Sequence, residues 1–164
     1  FSNTDGSFEG LQDASFTLEG PEERIGEVMD LFKITGNRTL VIEKEHKTLY
    51  HASNVMVSNL VVALISAGCR SFEKCGVLGA DPLAALLPLI KCNIQNISAK
   101  GLAGALTGPV ERNDVNTVRK HLDVMDGKER AVYILLTEKL PELAGEKHPE
   151  RDYSELLTLL KDNR

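Results

Sequence analysis

The feature that most constrains this fold is a change of hydrophobic pattern near residue 44. Before it, residues 14–19 alternate between apolar and polar side chains, which is typical of a half-buried strand. Pro21 opens a helix that we expect to run to about residue 35, and residues 38–42 form a second strand candidate. Two strands and one helix are too few for a stable sheet domain. The pattern therefore predicts that further strands come from an upstream region or a partner chain.

After residue 44 the apolar residues recur at helical spacing and strand signals nearly vanish. We expect helices over residues 45–73, 82–97, 115–125, 129–143 and 152–161, with a glycine-rich loop over residues 99–109. The first helix is apolar around most of its circumference, which is typical of a central, buried helix. The pattern predicts a mainly α chain, with residues 1–43 and 44–164 as its two domains.

Composition argues against several classes of function. The net charge of −5, without a basic cluster, disfavours nucleic acid or an anionic membrane as the main partner. The three cysteines form no CxxC pair, and no His, Asp or Glu cluster has metal-ligand spacing, so we expect neither disulfides nor a metal. The sequence shows no uninterrupted apolar run of about 18 residues and no signal peptide. We expect no membrane span and a cytoplasmic location.

Polar side chains interrupt the first long helix on one face. His51, Asn54 and Ser58 follow one another at i, i+3 and i+7, and Asn59 lies about two turns beyond His51. In the functional interpretation, His51 and Asn59 are catalytic and Asn54 and Ser58 contact substrate. His51 would serve as acid or base, because an imidazole titrates near neutral pH. In the structural interpretation, the same groups form a hydrogen-bonded network that joins this helix to its neighbours.

A second group of candidates surrounds the predicted glycine-rich loop. Thr107 supplies a hydroxyl, and Arg112 carries a planar fork suited to a carboxylate or phosphate. The alternative is a loop that leads into a helix, with Asp114 as the helix cap and Arg112 paired with a local acid. Asn96, on the preceding helix, could face the same cleft as His51 or face solvent. The functional interpretation makes Asn96, Thr107 and Arg112 substrate contacts.

Three stretches of the chain resemble a known family of proteins. They are residues 50–59 (Tyr-His-Ala through Ser-Asn), residues 86–90 with Asn96-Ile97, and the Leu-Thr-Gly-Pro-Val segment at 106–110 with Arg112, Asp114 and His121-Leu122. Together they resemble the C-terminal helical domain, of unknown function, of Rossmann-type NAD(P)-dependent oxidoreductases related to pyrroline-5-carboxylate reductase and ketopantoate reductase. The chain departs from the family pattern at Asn113, where a glycine is usual.

The resemblance implies a helical domain similar to the C-terminal superfamily of 6-phosphogluconate dehydrogenase, preceded by a β-α-β remnant of a Rossmann domain. It implies an oxidoreductase acting on a small carbonyl, imine or hydroxy compound, with NADP or NAD bound mainly by residues upstream of Phe1. It places His51 near the position of a catalytic lysine in ketopantoate reductases. It also implies a homodimer formed through the helical domain. The alternative function is a non-catalytic dimerisation or ligand-sensing module.

Overall fold

A computed structural model of the protein describes residues 14–76 and 81–164. The chain forms two compact units, which divide between Leu60 and Val61. In chain order the elements are β1 (Ser15–Leu18), α1 (Glu22–Ile34), β2 (Arg38–Val41), a short 3-10 helix (Lys44–His46), α2 (Lys47–Val57), α3 (Asn59–Glu73), α4 (Pro82–Ala105), α5 (Val115–Val124), α6 (Gly127–Thr137), α7 (Leu140–Lys147) and α8 (Ser154–Asp162). The described part of the chain is mainly helical, with one short pair of parallel strands. Residues 1–13 of the predicted N-terminal domain lie outside the described residues.

The predicted β-α-β unit is confirmed in the first compact unit. β1 and β2 pair in parallel, with Ser15 opposite Arg38 and Leu18 opposite Val41. The rings of Phe16 and Phe32 stack at 4.3 Å between centroids, which packs α1 against β1. Since both strands run in the same direction, their carboxyl ends lie at the same edge of the sheet.

The prediction of one continuous helix over residues 45–73 is wrong, because the backbone leaves the helical conformation at Ser58. This residue has φ −116° and ψ −82°, and α2 ends before it and α3 begins after it. The Ser58 hydroxyl donates a hydrogen bond to the backbone carbonyl of Asn54 at 2.6 Å. Serine side chains offer the backbone such alternatives to regular helical hydrogen bonding.

The expected burial of this segment is also wrong for the chain on its own. Leu49, Val57 and Val62 are 68%, 75% and 68% exposed, and Ala67 is the one buried residue of α2 and α3. By length and composition alone the segment Lys44–Glu73 could cross a membrane, because an 18-residue window within it has a mean hydropathy of 1.6, a test that helices of other protein classes also pass. The sequence pattern therefore identified an apolar surface correctly, but it does not show whether another surface packs against it.

The hydrophobic core of the second unit is built by its C-terminal helices. The fully buried side chains are Val118 on α5, Ile134 on α6, and Leu156 and Leu160 on α8. Further buried residues join them in one cluster: Val110, Val115, Leu122, Ala144, Tyr153 and Leu159. This cluster lies directly behind the Thr-Gly-Pro segment and therefore supports it.

Two helix boundaries in this unit differ from expectation. Asp81 caps α4 as its side chain accepts from the backbone N–H groups of Leu83 and Ala84, but the helix continues to Ala105 through a break at Gly101 (φ 72°, ψ 179°). The predicted loop over residues 99–109 therefore starts only at Leu106. The helix expected over residues 129–143 is two helices, and Pro141 lies in the first turn of α7, where its missing N–H costs no hydrogen bond.

Candidate functional site

Two of the predicted polar residues, His51 and Asn54, lie on α2, whereas Ser58 and Asn59 lie at the break between α2 and α3. His51, Asn54, Ser58 and Asn59 are all exposed. The Ser58 hydroxyl lies 3.0 Å from Oδ1 of Asn59, so these two side chains meet at the break between α2 and α3. Within residues 14–76 and 81–164, His51 makes no hydrogen bond or ion pair. The interpretation of these residues as a buried, satisfied network does not hold for this chain.

A pocket lies beside this helical face, at the carboxyl ends of the two parallel strands. We call it the strand-end pocket; it has a volume of about 380 Å³ and is lined by Thr17, Glu19, Ile42, Lys47 and Tyr50. Thr17 is in β1, Glu19 follows β1, and Ile42 follows β2. In open α/β sheets, ligands bind in the crevice outside the carboxyl ends of the strands. The pocket therefore occupies the position where such a sheet holds small molecules.

Hydrogen bonds and an ion pair organise the strand-end pocket. The Thr17 hydroxyl is hydrogen-bonded to the Tyr50 hydroxyl at 2.9 Å. Lys47 Nζ lies 2.7 Å from a carboxylate oxygen of Glu19. Hydrogen bonds from Thr17 and then from Asn54 lower the pKa of Tyr50 below its usual value of 10.0. Asn54 thus connects the predicted polar face to the pocket.

Sequence reasoning predicted none of the five residues that line this pocket. Lys47 lies four residues before His51, and Tyr50 four residues before Asn54, so this helical spacing could have identified both. Thr17 had no local signal, since it lies 33 residues from Tyr50 in the sequence. The pairing of β1 with β2 is what brings it to this edge.

A larger groove of about 720 Å³ adjoins the strand-end pocket at Glu19 and Ile42 and extends along the turn between β1 and α1. Glu22 and Glu23 lie in the first turn of α1. Two carboxylates at a helix N-terminus repel phosphate, whereas a dinucleotide site needs free N–H donors there. The start of α1 therefore does not fit the phosphates of NADP or NAD, and the described residues supply no phosphate-binding turn of this kind.

The second unit holds the remaining predicted residues. Thr107 and Arg112 are exposed in the segment between α4 and α5, and Asp114 caps α5 by accepting from the backbone N–H of Thr117. Hydrogen bonds from Thr117 lower the pKa of Asp114, and the charge of Arg112 contributes less. The expected helix cap is confirmed. Asn96 is half-buried and lies within α4, with its amide 3.5 Å from the sulfur of Cys92.

The segment between α4 and α5 is anchored through Glu111 by residues that sequence analysis did not single out. The Glu111 carboxylate accepts hydrogen bonds from His148 and lies 3.4 Å from Lys147 Nζ. The Glu111 backbone carbonyl accepts from Arg151 and, at 3.5 Å, from the Tyr153 hydroxyl. The hydrogen bond from His148, followed by the charge of Lys147, lowers the pKa of Glu111 below its usual value. Thr107 and Arg112 therefore project from an anchored segment.

The conformation of Asn113 explains how this residue can replace the glycine that is usual in the family. Its φ is 55°, a left-handed conformation that glycine and asparagine adopt more readily than other residues. Its amide donates to the backbone carbonyl of Asp152 at 2.8 Å, while its Oδ1 is buried without a hydrogen-bond partner. Asparagine at this position therefore keeps the backbone geometry that glycine would allow and adds a tie to the start of α8.

Residues 14–76 and 81–164 contain no group of three or more His, Cys, Asp or Glu residues that could hold a metal ion. Cys75 and Cys92 are exposed free thiols, and Cys69 is half-buried and free. The described polar groups can thus donate and accept hydrogen bonds and carry charge, and no described constellation supplies metal ligands.

Residues 14–140 match the model of a family described as a domain of unknown function, DUF2520. The chain is also similar to the crystal structure of protein TM1727 from Thermotoga maritima, with a TM-score of 0.73 and 27% sequence identity. That similarity covers 85% of this chain and 57% of the other, so this chain spans little more than half the length of that protein. No curated protein matches the chain.

Proposed function

The chain belongs to the DUF2520 family, and we propose that it forms the substrate-contacting part of a cytoplasmic NAD(P)-dependent oxidoreductase. Its helical part would be a relative of the C-terminal domain of 6-phosphogluconate dehydrogenase, and its β-α-β unit would complete a Rossmann domain. The nicotinamide cofactor would supply or accept the hydride, and a small carbonyl, imine or hydroxy compound would be the substrate. Phosphate contacts would come from outside the described residues, because α1 begins with two carboxylates.

One observation carries this proposal. Tyr50, one turn before Asn54 on α2, lines a pocket at the carboxyl ends of two parallel strands, and its hydroxyl lies 2.9 Å from that of Thr17. His51 lies on the same helix and is accessible, and we propose it as the acid or base because histidine is the side chain that most often transfers protons in enzymes. Asn54, Ser58 and Asn59 would orient the substrate by hydrogen bonding. Asn96, Thr107 and Arg112 of the second unit are proposed as further substrate contacts.

The test uses the protein together with any upstream sequence that its gene encodes. We expect it to bind NADPH or NADH, measured by quenching of nicotinamide fluorescence, and to turn over at least one small carbonyl compound. Ser58→Ala should lower kcat/KM, and Ser53→Ala is its matched control. Both hydroxyls bond to the carbonyl four residues earlier, but Ser53 lies on the opposite face of α2. Absence of cofactor binding, together with unchanged turnover in His51→Ala, would exclude this function.

A second candidate function is supported by the exposed apolar side chains. Within the second unit, Val62 and Leu64 on α3, and Leu89 and Ile94 on α4, lie open to solvent. Such surfaces mark protein–protein contacts when they are extensive. A homodimer formed through these helices is therefore proposed for the enzyme, and the same surface would serve a non-catalytic dimerisation module.

Sedimentation equilibrium tests the dimer, and kinetics separates the two functions. Val62→Glu should shift the protein toward the monomer, since a buried unpaired charge opposes association. Leu157→Glu, at an exposed position of α8 in the second unit, is the matched control and should leave the dimer intact. A dimer that binds no nicotinamide cofactor would favour the dimerisation module over the oxidoreductase.

A further inference from the structure

We propose that Tyr50 is a further hydrogen-bond donor to the reacting oxygen of the substrate, and that Thr17 positions it. This inference rests on the proposed oxidoreductase function and assigns the strand-end pocket as the place where that oxygen binds. Tyr50 is not among the residues that the sequence pattern predicted for the site. It lies on the helical face of Asn54 and His51, and it lines the pocket together with Thr17 and Lys47.

Geometry fixes the Tyr50 hydroxyl at a defined point in the pocket. The Thr17 hydroxyl lies 2.9 Å from it, and Thr17 is itself held in β1 by pairing with Leu40 of β2. Tyr50 remains 38% exposed, so a ligand can still approach it. A group that donates to a reacting atom has to be held within hydrogen-bond reach of it. Tyr50 meets this requirement because the side chain of a residue held in a strand bonds its hydroxyl.

The surroundings of Tyr50 also favour a strong donor. Hydrogen bonds from Thr17 and Asn54 lower the pKa of Tyr50, and a more acidic hydroxyl donates more strongly to a carbonyl oxygen. The charged groups that line the same pocket are Lys47 and Glu19, which pair with each other at 2.7 Å. His51 follows Tyr50 on α2. Because the two pocket charges offset each other, the hydroxyl groups are what remain to recognise a neutral oxygen.

The first experiment needs no substrate or cofactor. The chain contains three tyrosines, at positions 50, 133 and 153, so ultraviolet titration of the phenols can be assigned by substitution. We expect one phenol to ionise at a lower pH than the others, a transition that we call the low-pH step. Tyr50→Phe should remove this step, and Thr17→Val should move it to higher pH. Tyr133→Phe is the matched control, because burial raises the pKa of Tyr133 and its loss should leave the low-pH step intact. Persistence of the low-pH step in Tyr50→Phe would overturn the assignment.

The second experiment uses the full-length protein with a carbonyl compound that it reduces. Tyr50→Phe should lower kcat about 100-fold with little change in KM, and should alter the alkaline limb of the pH profile. Thr17→Val should shift that limb with a smaller loss of kcat, whereas Thr17→Ser should restore the parent profile. Unchanged kcat and pH profile in Tyr50→Phe would refute the role of Tyr50 while leaving the oxidoreductase itself intact. Absence of any turnover by the unmodified protein would instead overturn both proposals.

Discussion

Nε2 of His148 donates a hydrogen bond to the Glu111 carboxylate at 2.6 Å, and the two residues are 37 positions apart in the sequence. This bond ties the segment that carries Thr107 and Arg112 to the connection between α7 and α8. The Glu111 side chain is 15% exposed, so the pair is largely shielded from solvent. Shielding strengthens a charge-assisted hydrogen bond and raises the cost of leaving either partner alone.

The Glu111 pair should make stability depend on pH. The pKa of Glu111 in the folded state lies below its usual value of 4.5, chiefly because of His148. The ionised carboxylate therefore stabilises the fold above pH 4.5, and this contribution is lost as the pH falls toward the folded-state pKa. We expect Glu111→Gln to lower the urea midpoint at pH 7, with a deficit that shrinks below pH 4.5. Glu146→Gln, at an exposed position of α7, is the control, and an equal loss at every pH would contradict the assignment.

Core packing on α8 predicts a large difference between two adjacent leucines. Leu156 is fully buried, whereas Leu157 is 42% exposed. Leu156→Ala should lower the free energy of unfolding by about 2–5 kcal/mol, because it leaves a cavity in the core. Leu157→Ala should change it by only about 0.5 kcal/mol, as is usual for surface positions. Urea denaturation followed by circular dichroism compares the two, and similar losses in both variants would argue against this helix orientation.

Backbone geometry at Asn113 predicts an order among substitutions. Asn113→Gly keeps the left-handed conformation and loses the hydrogen bond to the Asp152 carbonyl. Asn113→Ala loses the same bond and also has to hold a β-carbon at φ 55°, which costs about 1 kcal/mol more. The melting temperature should therefore be highest with Asn113, lower in Asn113→Gly and lowest in Asn113→Ala. An alanine variant as stable as the glycine variant would show that the positive φ carries no strain.

Helix capping predicts a moderate effect at the start of α4. The Asp81 carboxylate accepts from the backbone N–H groups of Leu83 and Ala84, at 2.9 and 3.2 Å. Asp81→Ala should lower the free energy of unfolding by about 1 kcal/mol, whereas Asp81→Asn should keep most of the stabilisation that the cap provides. Asp123→Ala, at an exposed position near the carboxyl end of α5, removes a carboxylate without removing a cap. If Asp81→Ala and Asp123→Ala have equal effects, the capping role fails.

Local signals predicted those elements whose causes are local. The alternation over residues 14–19 and the Asp81-Pro82 pair each act within a few positions of the chain, and both predictions are confirmed. The break at Ser58 is a departure of one residue from helical backbone angles, which hydrophobic periodicity does not register. Periodicity likewise reports that a helix is apolar but not whether another surface covers it.

The predictions about the candidate site follow the same division. Asn54 and His51 stand out because polar residues are rare in an apolar helix, and Asn54 lies one turn after the pocket residue Tyr50. Contacts between distant positions gave no such signal. Thr17 reaches Tyr50 across 33 residues, and His148 reaches Glu111 across 37. Only the folded chain reveals these partners.

The parallel pair of β1 and β2 has a practical consequence for handling the chain. Within the described residues it is a two-stranded sheet, so each strand has one outer edge that no other described strand covers. Such edges are templates on which another polypeptide can add a strand. Leu40 and Val41 expose apolar side chains beside that edge of β2. Colloidal stability, rather than folding stability, should therefore limit the concentration at which this chain stays dispersed, and light scattering should rise with protein concentration before any unfolding begins.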